Sequence, residues 1–223
     1  MGSCESPAFW NVNIPPEQHT FSCPEYLRHL TPKDVGIIAT PDSEYTAQSW
    51  DEVRQIVATN SLESFKRVPS DLRRYRSFVY RLVQDYGSVH AFLLKERLRW
   101  EEPVKPRGAP FELEDDYKIL FNDWPYGVDK RIVHLVVWTK FSLAEDPKTG
   151  DLTDQARRDT EAFMEKVFYE NVPRERVIWF KNWAALKSVN AVEHFHVMMY
   201  DPDPCFVQRV TQGDVPQCLR EAH

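Results

Sequence analysis

The stretch AVEHFHVMMYD, residues 191–201, sets two histidines two residues apart inside an otherwise apolar run. Imidazole exchanges a proton near neutral pH, so such a pair can serve as general acid and general base. In an extended strand the side chains alternate. Val192, His194, His196 and Met198 then share one face, and Glu193, Phe195, Val197 and Met199 share the other. Both faces are largely apolar, which predicts a central strand. Imidazoles on a central strand need hydrogen-bond partners or a ligand. Three readings are open at this point: a pair of hydrogen-bonded core histidines, two zinc ligands completed by His134 or Asp123, or acid–base groups in an open site.

Several elements must hold that strand in place. YKILFND and RIVHLVVWTK are β-branched, nearly continuous in apolar residues and separated by the turn residues NDWPYG, which predicts two strands. DLTDQARRDTEAFMEKVFYENVP carries Ala156, Thr160, Phe163, Met164, Val167 and Phe168 at helical spacing and ends at Asn171 and Pro173. RVIWFKNW is a further strand before the histidine strand. Upstream, PSDLRRYRSFVYRLVQDYG places Leu72, Tyr75, Phe78, Val79, Leu82, Val83 and Tyr86 on one helical face, with Ser70 or Asp71 as cap and Gly87 as stop. SVHAFLLKERLRW is a second helix, and EEPVKPRGAP breaks the chain. The expected fold is α+β, with the order β-β-α-β-β in a mixed or antiparallel sheet and an N-terminal helical extension. Within one domain, residues 1–45 read as an irregular arm, 46–105 as helical and basic, 111–200 as the α+β core and 201–223 as a C-terminal tail.

Bulk properties narrow the class. The chain has 223 residues, 42% of them hydrophobic and 13% aromatic, enough for a sizeable core. No apolar run is long enough to span a bilayer, and Met1 to Asn13 lacks the pattern of a secretory signal, so no membrane partner is expected. Cys4, Cys23, Cys205 and Cys218 form no C-x-x-C pair, which points to a reducing cytosol rather than a disulfide framework or thiolate zinc site. No cofactor is called for. The net charge of −6 argues against indiscriminate nucleic-acid binding. It is unevenly spread, however. Residues 64–100 hold nine Lys/Arg against three Asp/Glu, and residues 101–129 hold three against eight. Two solvated helix faces and an acidic loop would account for that, as would a polyanion-binding patch.

ILFNDWPYGVDKRIVHLVVWTK followed by VIWFKNWAALKSVNAVEHFHVMM resembles the histidine-triad (HIT) nucleotide-binding superfamily over about residues 111–200. The resemblance sets Asn122, Asp123, Trp124 and Pro125 in the turn, His134 as the early histidine and Lys140 as the closing lysine. Asn182 falls at a phosphate-contacting asparagine, His194 at the first triad histidine, and His196 at the middle one, the nucleophile in that superfamily. The third position is Met198, and WAALKSVN replaces a glycine-rich stretch. The resemblance therefore implies the fold more than nucleotide hydrolysis. More of the chain, through RVPSDLRRYR, YGSV, FNDWPYG, HLVVWTK and VEHFHVMM, is similar to the fungal family typified by the N-acetylglucosamine-induced protein, a domain of unknown function connected with arginine-containing cyclodipeptide synthases.

That second resemblance implies acyl transfer from two aminoacyl-tRNAs, one of them arginyl, giving a diketopiperazine. It assigns His194 and His196 to proton transfer, with Glu193 and Ser188 as further catalytic candidates; Ser188 beside Lys187 can form an acyl-enzyme or be an ordinary loop residue. Asp123 and Glu193, then Glu112, Glu114 and Asp116, are candidates to bind the guanidinium. Asn122, Trp124, Tyr126, His134, Trp138, Asn182, Lys187 and Met198 would line the substrate site, with Trp179 and Trp183 nearby. Lys66, Arg67, Arg73, Arg74, Arg76 and Arg81 would grip tRNA phosphates. Two alternatives remain: a HIT-like nucleotide hydrolase or transferase acting through His196, and a non-enzymatic sugar-response protein in which both histidines belong to the core. Oligomeric state and the second amino acid are left open.

Overall fold

The computed structural model describes residues 7–182 and 192–220. A four-stranded antiparallel sheet forms its centre. The strands are β1 (Tyr117–Phe121), β2 (Ile132–Thr139), β3 (Val177–Phe180) and β4 (Glu193–Tyr200), in the order β1-β2-β4-β3. The histidine strand β4 is thus central, as its two apolar faces require. Its register pairs His194 with Trp138 and His196 with Val136 on β2, and His196 with Phe180 on β3.

The two faces of the sheet have different covers. On one, Leu135, Val137, Phe195, Val197 and Met199 pack against Phe163, Met164 and Phe168. Those three belong to α5 (Asp154–Met164), which continues as a wider helical turn over Glu165–Tyr169. Thr153 caps α5 by accepting from the Ala156 amide. The other face carries the histidines and lies under the N-terminal helices. These are α1 (Pro32–Ile38), α2 (Trp50–Ala58), α3 (Pro69–Tyr86) and α4 (Val89–Phe92), the last continuing in wide turns over Leu93–Leu98. The result is a mixed α+β protein with three layers.

Helix α3 begins at Pro69, two or three residues earlier than a Ser70 or Asp71 cap implies. Proline is pre-set for the first helical position, and the Ser70 amide is satisfied from outside by Asp42 Oδ1 at 3.0 Å. Gly87 ends it at φ +77°, the left-handed conformation that favours glycine. Leu72, Phe78 and Leu82 are buried as the spacing indicates, whereas Val83 is exposed. Residues 7–45 contain α1 and several single 3-10 turns, with Leu27 and Ile38 packed on Leu72. After β4 the chain forms α6 (Pro204–Val210) and the short α7 (Gln217–Arg220).

One buried ion cluster ties three of these regions together. Arg97, at the end of the α4 segment, has a side chain only 3% exposed. Its guanidinium donates to both oxygens of Asp214 at 2.8 Å each, and to Asp123 through Nε at 3.0 Å and Nη2 at 2.9 Å. Asp214 also accepts from the Phe121 amide, and Asp123 from the Gln217 amide, each at 3.0 Å. The guanidinium fork suits two planar acceptors at once. Removing it leaves two carboxylates facing each other in a poorly solvated place. Arg97→Met should therefore lower unfolding free energy by about 3–5 kcal/mol in urea titrations, and Asp214→Asn by less.

Candidate functional site

Between the histidine face of the sheet and helices α3 and α4 lies a cavity of about 330 Å³. Its floor is Val136, Trp138, His194 and His196; Asn122, Asp123, Trp124 and Tyr126 of the β1–β2 turn form one side. Arg67, Tyr75 and Phe78 close it from the helical layer. The sequence pattern positions these groups directly: cross-strand neighbours on antiparallel strands share a face. Trp138 therefore lies against His194, tilted by 33° with ring centroids 4.4 Å apart, and Phe180 stacks on His196 at 5.1 Å.

The imidazoles are linked. His134 Nε2 lies 3.0 Å from His196 Nδ1, and His196 Nε2 lies 3.0 Å from Asn182 Nδ2. Asn122 Nδ2 lies 3.2 Å from His134 Nε2 and 3.4 Å from its Nδ1. Asn182 Oδ1 is buried with no partner among the described residues. The Asn182 amide donates to His196 Nε2, so the neutral His196 ring carries its proton on Nδ1 and donates it to His134 Nε2. His194 has a different arrangement. Its Nδ1–H donates to the Val192 carbonyl at 2.9 Å, so the basic lone pair of the neutral ring is at Nε2.

Burial favours the uncharged forms of His134 and His196. Desolvation, with the Arg67 charge second, lowers the His134 pKa to about 3. His196 is lowered well below its ordinary value by desolvation first, then by His134, His194 and Arg67. Asp123 is pushed upward by burial against the opposing pull of Arg97.

The cavity brings together Asn122, Asp123, Trp124, Tyr126, Trp138, Asn182, His194 and His196; the expected His134 does not line it and lies behind His196, hydrogen-bonded to it. Other expected residues lie elsewhere. Met198 is fully buried among Val53, Leu62, Phe65 and Phe180, because α2 and the following turn cover that end of the face. Glu193 accepts from Lys181 at 3.1 Å on the opposite side of its strand, as alternation dictates. Trp179 donates to Glu161 at 2.8 Å, also away from the cavity. Asp116 is buried and accepts from the Arg107 and Gly108 amides, and Glu112 accepts from Ala109, so both hold their own loop. Asp123 does reach the cavity, but Arg97 occupies its carboxylate, which therefore is not a free paired acceptor for a substrate guanidinium. Ser188, Lys187 and Trp183 lie outside the described residues.

The basic residues of the helical region are divided. Arg73 donates to the Trp10 carbonyl, Arg76 pairs with Asp34, and Arg74 bonds Asp71 and the Cys218 carbonyl. These three bind the N-terminal segment and tail rather than standing as a common outward face, because their helix is covered on that side. Lys66 and Arg81 are exposed, and Arg67 lines the cavity. Arg97, Asp214 and Tyr75 were not singled out from sequence as site residues; the signal for Arg97 was its place among Leu93, Leu94 and Leu98. No group of three His, Cys, Asp or Glu among the described residues has the geometry of a metal site, and no helix among them is long and apolar enough to cross a membrane.

Residues 49–200 match the family described as protein of unknown function (DUF3605). The chain belongs to this family. It is 26% identical to N-acetylglucosamine-induced protein 1 of Candida albicans over 191 residues, 77% of this chain and 75% of that protein. It is 25% identical over 172 residues to the uncharacterized protein YPL067C of Saccharomyces cerevisiae, covering 74% of this chain and 85% of the relative. The crystal structure of HTC1 superposes with a TM-score of 0.63 at 20% identity, over 76% of this chain and 98% of that one, which shows a shared fold.

The neutral, buried imidazoles make stability depend on pH. Their folded pKa values lie below the unfolded value of about 6.5, so the unfolded chain binds more protons in between. The stabilisation is complete above pH 6.5 and is lost as pH falls toward 3. Urea unfolding between pH 7 and 5 should show stability falling by up to ~1.4 kcal/mol per pH unit for each histidine. Relative to wild type, His134→Gln should flatten that slope.

Proposed function

We propose that the cavity is the active site of an aminoacyl-tRNA-dependent cyclodipeptide synthase joining arginine to a second amino acid. The observation that carries the chemistry is a cavity floor bearing His194 with its tautomer fixed and His196 held neutral beside it. A neutral imidazole with an oriented lone pair suits the proton transfers of acyl transfer. Arginine and tRNA as substrates rest on the motif resemblance, not on a guanidinium pocket.

In the reaction, the α-amine of one aminoacyl group attacks the ester carbonyl of the other. The C–N bond forms and the C–O bond to the ribose breaks. His194 accepts the amine proton at Nε2 and returns it to the departing ribose oxygen. The second amine then attacks the remaining ester, closing the six-membered ring and releasing the second tRNA. Trp138 and Tyr126 supply flat walls against which amino-acid side chains can stack. The β-β-α-β-β order with histidines on β2 and β4 supports reading the core as HIT-like. Met198, packed in the third triad position, disfavours nucleotide hydrolysis because it neither donates a proton nor binds an oxyanion.

The test is product analysis by mass spectrometry with tRNA, amino acids including arginine, ATP and the matching synthetases. A ribonuclease-sensitive cyclic Arg-Xaa is expected, with a yield reduced at least 100-fold in folded His194→Ala, in line with loss of a general base. No cyclic dipeptide with any amino acid would overturn the proposal, and release of a nucleotide from a phosphoramidate instead would favour the HIT-like hydrolase.

A further inference from the structure

The charged side chains lining the cavity are Arg67, Arg76, Arg97 and Asp123. Arg76 is paired with Asp34, and Arg97 with Asp123 and Asp214. Arg67 differs. Among the described residues no carboxylate pairs with it, and its only hydrogen bond is from Nε to the Trp124 carbonyl at 2.9 Å. Its guanidinium carbon lies 4.3 Å from the centroid of the Tyr75 ring and 5.6 Å from that of Tyr126. One nitrogen is thus anchored and the plane is held on aromatic faces, while the two terminal nitrogens keep their donors.

Holding a guanidinium in this way limits its rotamer freedom and lowers the entropy lost on binding a ligand. The charge of Arg67 is felt at both His134 and His196, which places it within electrostatic reach of the imidazole pair. An uncompensated cation on one side of a cavity, with stacking faces close by, suits a ligand with an anionic oxygen attached to a flat group. A nucleotide phosphate has that chemistry.

We propose that Arg67 is the anion-binding residue of the cavity and takes a phosphate oxygen of the substrate's terminal nucleotide. The identity of that nucleotide as the 3′ end of a tRNA rests on the function proposed above; the phosphate chemistry does not. Arg67 is contributed by the helical layer, outside the four-stranded sheet, so it adds to the histidine face a function the sheet alone lacks.

The full-length chain would be titrated calorimetrically at low salt with inorganic phosphate, adenosine 5′-monophosphate and a short single-stranded RNA of tRNA 3′-terminal sequence. Arg67→Gln, Arg67→Lys and, as a surface control on α5, Arg158→Gln would be compared with wild type, each checked by thermal melting. Wild type should bind the RNA end. Arg67→Gln should weaken binding at least tenfold, Arg67→Lys less, and Arg158→Gln not at all. The slope of log K against log salt should fall by ~0.7 in Arg67→Gln, one phosphate contact to a single strand. Equal Arg67-dependent binding of the mononucleotide would support the phosphate site and assign it to a free nucleotide, against the tRNA reading. Unchanged binding in Arg67→Gln, or no binding of any phosphate probe by wild type, would overturn the proposal. If Arg67→Gln does not fold, the arginine Nε resonances of wild type decide: a phosphate-induced shift of Arg67 supports the site, and none overturns it. A cyclic dipeptide formed with unchanged KM in Arg67→Gln would reject the phosphate site and leave the synthase reading standing.

Discussion

Burying imidazoles in the middle of a sheet is the constraint from which the rest of the site follows. An unpaired buried ring nitrogen loses its hydrogen bonds to water without replacement. The chain Asn122–His134–His196–Asn182 and the bond from His194 to the Val192 carbonyl answer that requirement. Both answers depend on strand register. A shift of one residue on β4 would turn His194 and His196 into the α5 core and bring Phe195 and Val197 to the cavity. The aromatic and aliphatic packing on the α5 side therefore fixes the chemistry on the other side.

The helical layer completes what the sheet begins. It removes the histidine face from solvent, which lowers the imidazole pKa values, and leaves a cavity where α3 and α4 diverge from Val136 and Trp138. Its arginines do three kinds of work. Arg73, Arg74 and Arg76 hold the N-terminal segment and the tail, and Arg97 joins the α4 segment to β1 and the tail through two aspartates. Arg67 faces the cavity. A basic stretch that looks uniform in sequence is thus divided by packing into structural ties and one cation in the site.

The sheet was legible because its strands are short, apolar and bounded by strong turn residues, and because alternation assigns each side chain to a face. That reasoning placed His194 and His196 together and set Glu193 opposite them. It placed Trp138 near the site, and register supplied the contact with His194. What was not legible depends on contacts distant in sequence. Met198 shares the histidine face, but α2 and Phe65, more than a hundred residues upstream, decide that it is core. Asp123 has the right type and position to bind a guanidinium, yet Arg97 of the same chain binds it first. The tail after Cys205 carries no strong periodicity, so neither α6 nor the role of Asp214 could be read from it.

His134 and His196 form a neutral, hydrogen-bonded pair, with His196 in the floor of the cavity. Histidine ring nitrogen resonances, recorded on uniformly ¹⁵N-labelled protein from pH 7.5 down to 5, test this most directly. The expected result is that both rings stay neutral across that range, with one proton each and no mid-range titration. A fully cationic signal from either ring by pH 5.5 in the folded protein would contradict the account, because a charged ring there could not be the buried, neutral hydrogen-bond partner described.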